Sequence, residues 1–357
     1  MSQLRRANAL VATWVGGEFV IENYISGHET TVSAAMADFI GRFSTPSPSS
    51  EVVRSFDRVP DGNSILARLI AQKILLEVGS DLEILDAATG EWKWGHDARL
   101  FHFSTRRTRF MSMSDERAAL ALMAKDDPPP PPYTESISTE MISLLDAVKS
   151  PIDFWQVLSD RRTHRSFTPD ALSAECLATL LRLTWGATGE GNDPVLGRFV
   201  KKTSPSGGAR HPVEVYPIIQ RVSGIASGVY RFNVQHGALD WLSPMPQQAD
   251  VVAMCADQTW VEKAAVVCFM VGEIKRSMWK YRSSHAYRVL LLDAGHLGQT
   301  FHLVSTALGI APFTSAALDS IAVEDHLGLD PATQLPLYVA AAGRPAPDFP
   351  STQTDIM

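Results

Sequence analysis

The chain predicts an α+β fold in two parts, and three observations carry that reading. Strand-like and helix-like segments alternate irregularly, without the regular β–α–β succession of a doubly wound parallel sheet. Five consecutive prolines, Pro128 to Pro132, follow Asp126 and Asp127 and divide the sequence. Such a run is extended polyproline II and acts as a stiff spacer. Finally, Leu290, Ala294, Leu297, Phe301, Val304 and Leu308 recur by four and three. That spacing predicts one long helix over 287–309, with an apolar seam that can pack on another helix.

These signals divide the chain into a small α+β domain over 1–125, a proline-rich linker with a lead-in helix over 126–150, a larger domain over 151–347, and a tail over 348–357. In the first part, Leu10–Val15 and Glu18–Tyr24 read as two strands of a hairpin joined by Gly16-Gly17, a turn that needs left-handed residues. Residues 30–43 are compatible with a helix. Asn63 is a candidate N-cap for a helix over Ser64–Val78, with Ile65, Leu66, Leu69, Ile70 and Ile74 at helical spacing and Gly79 as its stop. Short helices with a hairpin predict a winged-helix-like module. The polar stretch Ser44–Ser50 reads as a loop within it.

In the second part, Asp153–Asp160 leads into an arginine-rich segment. Thr168-Pro169-Asp170 opens a helix over Ser173–Trp185 that places Leu177, Leu180, Leu181 and Thr184 on one face. Val213–Gln220 reads as an apolar strand, and Gly228–Phe232 begins another. Ala264–Gly272 is a continuous apolar run bounded by charges, as a buried strand requires. Leu335–Ala341 is the last strand and ends at Gly343-Arg344-Pro345. No internal repeat is visible.

Composition narrows the function. The 357 residues carry 45% hydrophobic and 20% charged side chains, enough for a sizeable core in an ordinary globular protein. The net charge of −7 argues against general nucleic-acid binding, which needs a basic face. Three widely spaced cysteines, Cys176, Cys255 and Cys268, fit a reducing cytoplasm and offer no zinc or iron–sulfur spacing. No run of about 20 apolar residues predicts a membrane span, and the broken apolar stretch near the N-terminus is a poor signal peptide. Gly-x-Gly-x-x-Gly after a strand, a Walker A loop and a Gly-x-Ser-x-Gly elbow are all missing from the sequence.

Two segments carry chemistry. In Arg161-Arg162-Thr163-His164-Arg165-Ser166-Phe167, three arginines and a threonine hydroxyl fall within five positions. Guanidinium forks match phosphate oxygens and stay charged at any working pH. About forty residues on, Ser204-Pro205-Ser206-Gly207-Gly208-Ala209-Arg210-His211-Pro212 is a small-residue loop whose glycines admit close approach and whose N–H groups can donate. Together they point to a phosphorylated planar cofactor. A third segment, Lys280-Tyr281-Arg282, precedes the long helix, which continues into Leu292-Asp293-Ala294-Gly295-His296. Asp293 and His296 share a helix face, with too few partners for a metal site. A histidine buried at a helix–helix interface is the expected role of His296. His211, after the glycine loop, either lies near the cofactor or turns the chain.

Over residues 150 to 347 these motifs resemble nitroreductase-like flavoproteins, and within them the SagB/McbC-type azoline dehydrogenases. The resemblance implies a nitroreductase-like FMN-binding fold, with an antiparallel or mixed central sheet flanked by helices, and a homodimer with flavin between subunits. It implies Arg161, Arg162, Thr163 and Arg165 at the FMN phosphate and Ser206, Gly207 and Gly208 along the ring. Leu308–Thr314 falls where relatives offer a backbone N–H to the flavin, which puts Thr314 in the cofactor site and leaves bulky Phe313 as a departure. Arg344 stands where a further cation reaches the phosphate. Lys280 and Tyr281 match the catalytic Lys-Tyr pair. Oxidising an azoline to an azole removes a hydride to the flavin and a proton to a side chain, and a lysine ammonium beside Tyr281 favours its phenolate. The segment from Trp92 to Phe103 resembles the family less specifically. The implied substrate is a ribosomal or carrier-bound peptide bearing thiazoline or oxazoline rings, with a cyclodehydratase or a peptide synthetase as partner and the N-terminal module engaging the peptide. Two other readings are an NAD(P)H-dependent nitro-, quinone- or ene-reductase of the same fold, and a non-catalytic peptide-binding scaffold.

Overall fold

In a computed structural model, the described residues are 3–91, 95–106, 111–195 and 197–347. They form two compact units, Met1–Phe110 and Met111–Met357. Trp92-Lys93-Trp94, at the head of the less specific resemblance, and the 348–357 tail lie outside the described residues.

The first unit holds two small antiparallel sheets. Leu10–Val15, Glu18–Asn23 and His28–Thr31 form a meander. Its first turn has Gly16 and Gly17 at φ +57° and +88°, the left-handed conformations the sequence called for. Gln3–Arg6 is the middle strand between Ser47–Pro48 and Leu75–Glu77. Two expectations change here. Residues 30–43 are not one helix: the meander takes His28–Thr31, and Ser33 caps a shorter helix, Ala34–Gly41. The helix placed over Ser64–Val78 is Gly62–Ala71, and Leu75–Glu77 leaves it to pair with Gln3–Arg6. Its start is fixed by packing rather than by Asn63. A Cβ on Gly62 would sit 1.7 Å from the Phe56 carbonyl oxygen, so only glycine fits. Phe43 and Phe56 stack in the core with Ile40, Val52 and Leu69. Arg5 is buried and pairs with Glu83 at 2.8 Å and Asp86 at 2.7 Å.

The second unit is built on one sheet, in the order Ala311–Ser315, Gln334–Pro345, Val266–Glu273, Val213–Ile219, Gly228–Asn233, Ala238–Pro244, Met141–Ser143. Every described pairing in it is antiparallel. Phe167–Thr168 joins the end of Gln334–Pro345. The central strands Val213–Ile219 and Val266–Glu273 are apolar along nearly their whole length because side chains pack on both faces. One face carries the long helix, Ala286–Ala307, and the helix Ala174–Trp185 capped by Ser173. The seam residues Leu290, Ala294, Leu297 and Phe301 are buried in this core. The seam therefore packs within the chain and gives no argument for a dimer.

The proline run also differs from expectation. It is held along the second unit rather than spanning free. The Trp279 indole N–H donates to Asp127 O (2.7 Å), the Tyr133 hydroxyl to Glu190 (2.6 Å), Thr134 Oγ1 to Glu214 (3.1 Å) and Ser136 Oγ to Asp240 (2.9 Å). No lead-in helix occurs in 126–150; the segment supplies the edge strand Met141–Ser143 instead. The helix Met113–Met123, before the prolines, belongs to the same unit.

Candidate functional site

The glycine loop is pinned to one face of the long helix. Ser206 Oγ donates to Asp293 Oδ2 at 2.5 Å, and the Gly207 N–H donates to Asp293 Oδ1 at 3.2 Å. The His296 ring nitrogen Nδ1 lies 3.2 Å from the Pro205 carbonyl oxygen, and Ser204 Oγ lies 2.6 Å from Thr300 Oγ1. Positions 293, 296 and 300 share a face because of the helical repeat. Ser206 Oγ also accepts the His211 N–H at 2.9 Å, which closes the loop on itself. Gly208, Ala209 and His211 are all left-handed, at φ +59°, +54° and +44°. Asp293 is buried, and burial raises its carboxyl above the usual range against the pull of its two donors. His296 is exposed rather than buried, and serves the loop instead of a helix–helix interface.

Lys280 ends the helix Ile274–Lys280 and Tyr281 caps it in extended backbone. Both side chains press on the glycine loop. A Cβ on Gly208 would lie 2.5 Å from Tyr281 Oη and 2.9 Å from Lys280 Nζ, and one on Gly207 would lie 2.3 Å from Val289 Cγ1. Thus Ser206, Gly207, Gly208, Lys280 and Tyr281, far apart in sequence, meet in space. The electrostatics differ from the sequence expectation. The Lys280 ammonium lies 5.2 Å from the Tyr281 ring centroid and 3.8 Å from Glu116. Burial raises the Tyr281 phenol, and the Glu116 and Asp293 charges add to it. The opposing cation is Arg210, buried beneath the loop with Nε donating to Gly208 O (3.3 Å) and its guanidinium 5.8 Å from the Trp279 ring centroid.

Behind the loop lies a buried charge cluster that sequence reasoning missed. Glu214 meets Arg276 at 2.6 Å, and Arg276 donates to His211 O at 2.9 Å. Burial pulls the Lys202 ammonium down to about 8. Burial, with the Lys202 and Arg276 charges, pulls His211 down to about 4. A cavity of about 10 Å³, lined in part by Lys202, Ser204, His211 and Asp293, separates this cluster from the long helix. Glu214 sits in an apolar run and Arg276 in a charged helix that reads as solvent-facing, and nothing in their spacing pairs them.

The arginine segment occupies a different place. The His164 N–H donates to Pro312 O at 2.8 Å, tying the segment to the edge strand Ala311–Ser315. Arg165 lies over the rings of Trp260 (5.9 Å) and Phe313 (5.7 Å), with Phe313 buried in the core. Arg162 is exposed and Arg161 and Thr163 are half-buried. Thr314 accepts from the Tyr338 hydroxyl at 3.0 Å and lies 3.1 Å from His302 Nε2. Burial and then the Arg161 charge pull His302 down to about 4. Arg344 pairs in register with Thr168, so it joins the chain just after the arginines. Arg161, Arg165, Thr314 and Arg344 therefore cluster around the edge strand. Asp293 and His302 are nine residues apart, about 13 Å along the helix, and the two groups of site residues meet the helix at these two levels.

The Nitroreductase family signature matches residues 158–344, and the chain belongs to that family. The trifolitoxin-processing protein TfxB of Rhizobium leguminosarum bv. trifolii is 30% identical over 171 residues, 46% of this chain and 45% of TfxB. The trifolitoxin operon protein TfxC of the same organism is 27% identical over 116 residues, 32% of each chain. The chain thus spans about half or less of these relatives' length. A chain of the E. coli microcin synthetase McbBCD complex with truncated pro-MccB17 bound aligns with a TM-score of 0.44 at 19% identity, covering 75% of this chain and 95% of that one. FMN is the typical cofactor of the family. The residues present fit it. Among the described residues Arg161, Arg162 and Arg165 form no ion pair with a carboxylate, so their charge is available to a phosphate, and the glycine loop offers side-chain-free backbone. Among the described residues no cluster of metal-ligating side chains occurs, and no helix is long and apolar enough to cross a membrane.

Proposed function

We propose that this chain is an FMN-dependent dehydrogenase that oxidises thiazoline or oxazoline rings of a peptide intermediate to thiazole or oxazole. The observation that carries this reading is the contact of Lys280 and Tyr281 with the glycine loop, which sets a proton-handling pair against a cofactor-binding segment. The similarity to a trifolitoxin-processing protein supports a peptide substrate. Bound FMN supplies the acceptor for the two electrons, which leaves the protein a proton to handle. The pair takes that proton: Tyr281 as base, with Arg210 favouring its ionised form and Lys280 holding the ring from above. Ser206, Gly207 and Gly208 line the ring, and Asp293 fixes their backbone. Arg161, Arg162, Thr163, Arg165 and Arg344 take the phosphate end, with Thr314 at the edge strand between them.

A homodimer completes the arrangement. Phe154, Trp155 and Leu158 on the helix Phe154–Asp160 and Leu291 and Leu292 on the long helix are exposed, Trp155 to 74%. These outward apolar side chains, not the buried seam, are the dimer surface. The N-terminal unit engages the peptide, and a cyclodehydratase or peptide synthetase supplies the azoline. The test is anaerobic mixing of the yellow protein with an azoline-containing peptide. Loss of the flavin absorbance near 450 nm with formation of azole is the expected result. Bleaching by NADPH but not by the azoline peptide would replace this reading with that of a reductase. A protein that cannot be loaded with FMN would leave only a scaffold.

A further inference from the structure

The helix Met113–Met123 touches the Lys-Tyr pair and is lightly held. Its cap Ser112 starts it, with Asp115 and Glu116 in the first turn. Glu116 reaches Lys280 at 3.8 Å, and its charge raises the Tyr281 phenol. Among the described residues, further ties run through Arg282, the residue after the pair, which reaches Met123 Sδ at 3.0 Å and Asp127 at 2.6 Å, through the Trp279 indole to Asp127 O at 2.7 Å, and through Arg117 to Asp193 at 3.1 Å. Leu120 is the one apolar side chain of the helix described as buried, while Leu122 is 65% exposed. The exposed pairs Arg282–Asp127 and Arg117–Asp193 contribute about 0–1 kcal/mol each, so among the described residues Leu120 and a few polar contacts hold the helix.

Resting on the catalytic reading of Lys280 and Tyr281, we infer that Glu116 is a positioning residue for that pair, carried on a displaceable cover. Docked, Glu116 draws the Lys280 ammonium to itself and keeps Tyr281 in its neutral form. When the helix lifts for substrate, Lys280 loses its carboxylate partner while staying over the Tyr281 ring, and the cations Arg210 and Lys280 are left to favour the phenolate. The groups facing Tyr281 are Glu116 from the cover, Arg210 from beneath the glycine loop, Asp293 from the long helix and Lys280 from its own helix. Of these, Glu116 alone is carried by an element with so little buried surface.

The test reads Tyr281 itself. FMN-loaded protein carrying tyrosine labelled with carbon-13 at Cζ has 7 tyrosine signals, and the Tyr281 signal is the one lost in Tyr281→Phe. Its titration is followed in the parent, in Glu116→Gln and in Glu116→Asp. The inference expects Glu116→Gln to move Tyr281 ionisation to lower pH, with Glu116→Asp staying close to the parent. Hydrogen exchange over 113–123 should rise in Glu116→Gln. Superimposable titrations in all three proteins would overturn the inference. A shifted titration without any change in the pH dependence of flavin bleaching would leave Glu116 as positioner and remove Tyr281 as base, so the two readings fail separately.

Discussion

The two ends of the candidate site are built in opposite ways. At the glycine-loop end, Ser206 and Gly207 are hydrogen-bonded to the buried Asp293, and Tyr281 and Lys280 close on Gly208 with no room for a side chain. At the arginine end, Arg162 and Arg165 are exposed: Arg162 donates to the Ser159 and Arg161 carbonyl oxygens at 2.8 Å, and Arg165 rests against the Trp260 and Phe313 rings. Directional bonds in a dry setting define positions to a fraction of an ångström. Exposed guanidinium groups with no carboxylate partner keep their charge for an anion. One end is set by the fold and the other waits for its ligand. Substitutions at the first end should therefore damage turnover and local structure, and substitutions at the second should damage retention of FMN.

The largest effect expected at the glycine-loop end is chemical. Tyr281→Phe and Lys280→Ala should retain flavin and lose turnover by about 10²–10⁴-fold, the range for removing a general base. Stopped-flow bleaching with an azoline peptide measures it, and bleaching as fast as the parent's in both variants would make the pair structural. At the other end, Arg165→Ala should weaken FMN retention by about 1.5–3 kcal/mol, roughly 10- to 100-fold, with the bleaching rate of reloaded enzyme little changed. Equilibrium dialysis of FMN separates the two. If Arg165→Ala bleaches slowly when saturated, the division of labour between the ends is wrong.

A smaller effect tests the close approach. Gly208→Ala places a methyl where Tyr281 Oη and Lys280 Nζ now lie, and puts alanine in a left-handed conformation costing about 1–2 kcal/mol. The pair can swing away because both contacts are at the ends of flexible side chains. The variant should fold, unfold at lower denaturant, and turn over slowly. The same substitution at exposed Gly224, also left-handed with open space around it, should cost stability alone.

The smallest effect concerns pH and involves both ends. His211 behind the loop and His302 beside Arg161 are each held down to about 4, below the ordinary 6.5 of the unfolded chain. A histidine whose folded value is depressed supports the fold above its unfolded value, and that support is lost as pH falls toward its folded value. Stability measured by urea unfolding should decline between about pH 6.5 and 4. His302→Gln should flatten part of the decline, and an unchanged slope would mean the ring is hydrated at the arginine end.

Dimerisation bears on the comparison because the two ends lie about 13 Å apart along one helix. Light scattering should give about twice 39.1 kDa. Replacing Trp155 and Leu292 by serine should yield monomers that bind FMN poorly if ends from different subunits share one flavin.

The sequence by itself determined the elements with strong local signals. The long helix, the capped helix after Ser173, the buried strands and the Gly16-Gly17 hairpin follow from periodicity, capping and turn chemistry. Tertiary structure decided what depends on partners distant in the chain. The strand Leu75–Glu77 left its helical pattern because Gln3–Arg6 offered it a ladder. The proline run became a strap because Trp279, Glu190 and Glu214 supply its hydrogen-bond partners. The apolar seam proved internal because the sheet covers it. Arg210 comes to face Tyr281 as well as Lys280, because a left-handed turn at Gly208 and Ala209 carries it beneath the loop. Local chemistry is written in neighbouring residues, whereas an electrostatic field sums over groups that only folding brings within reach.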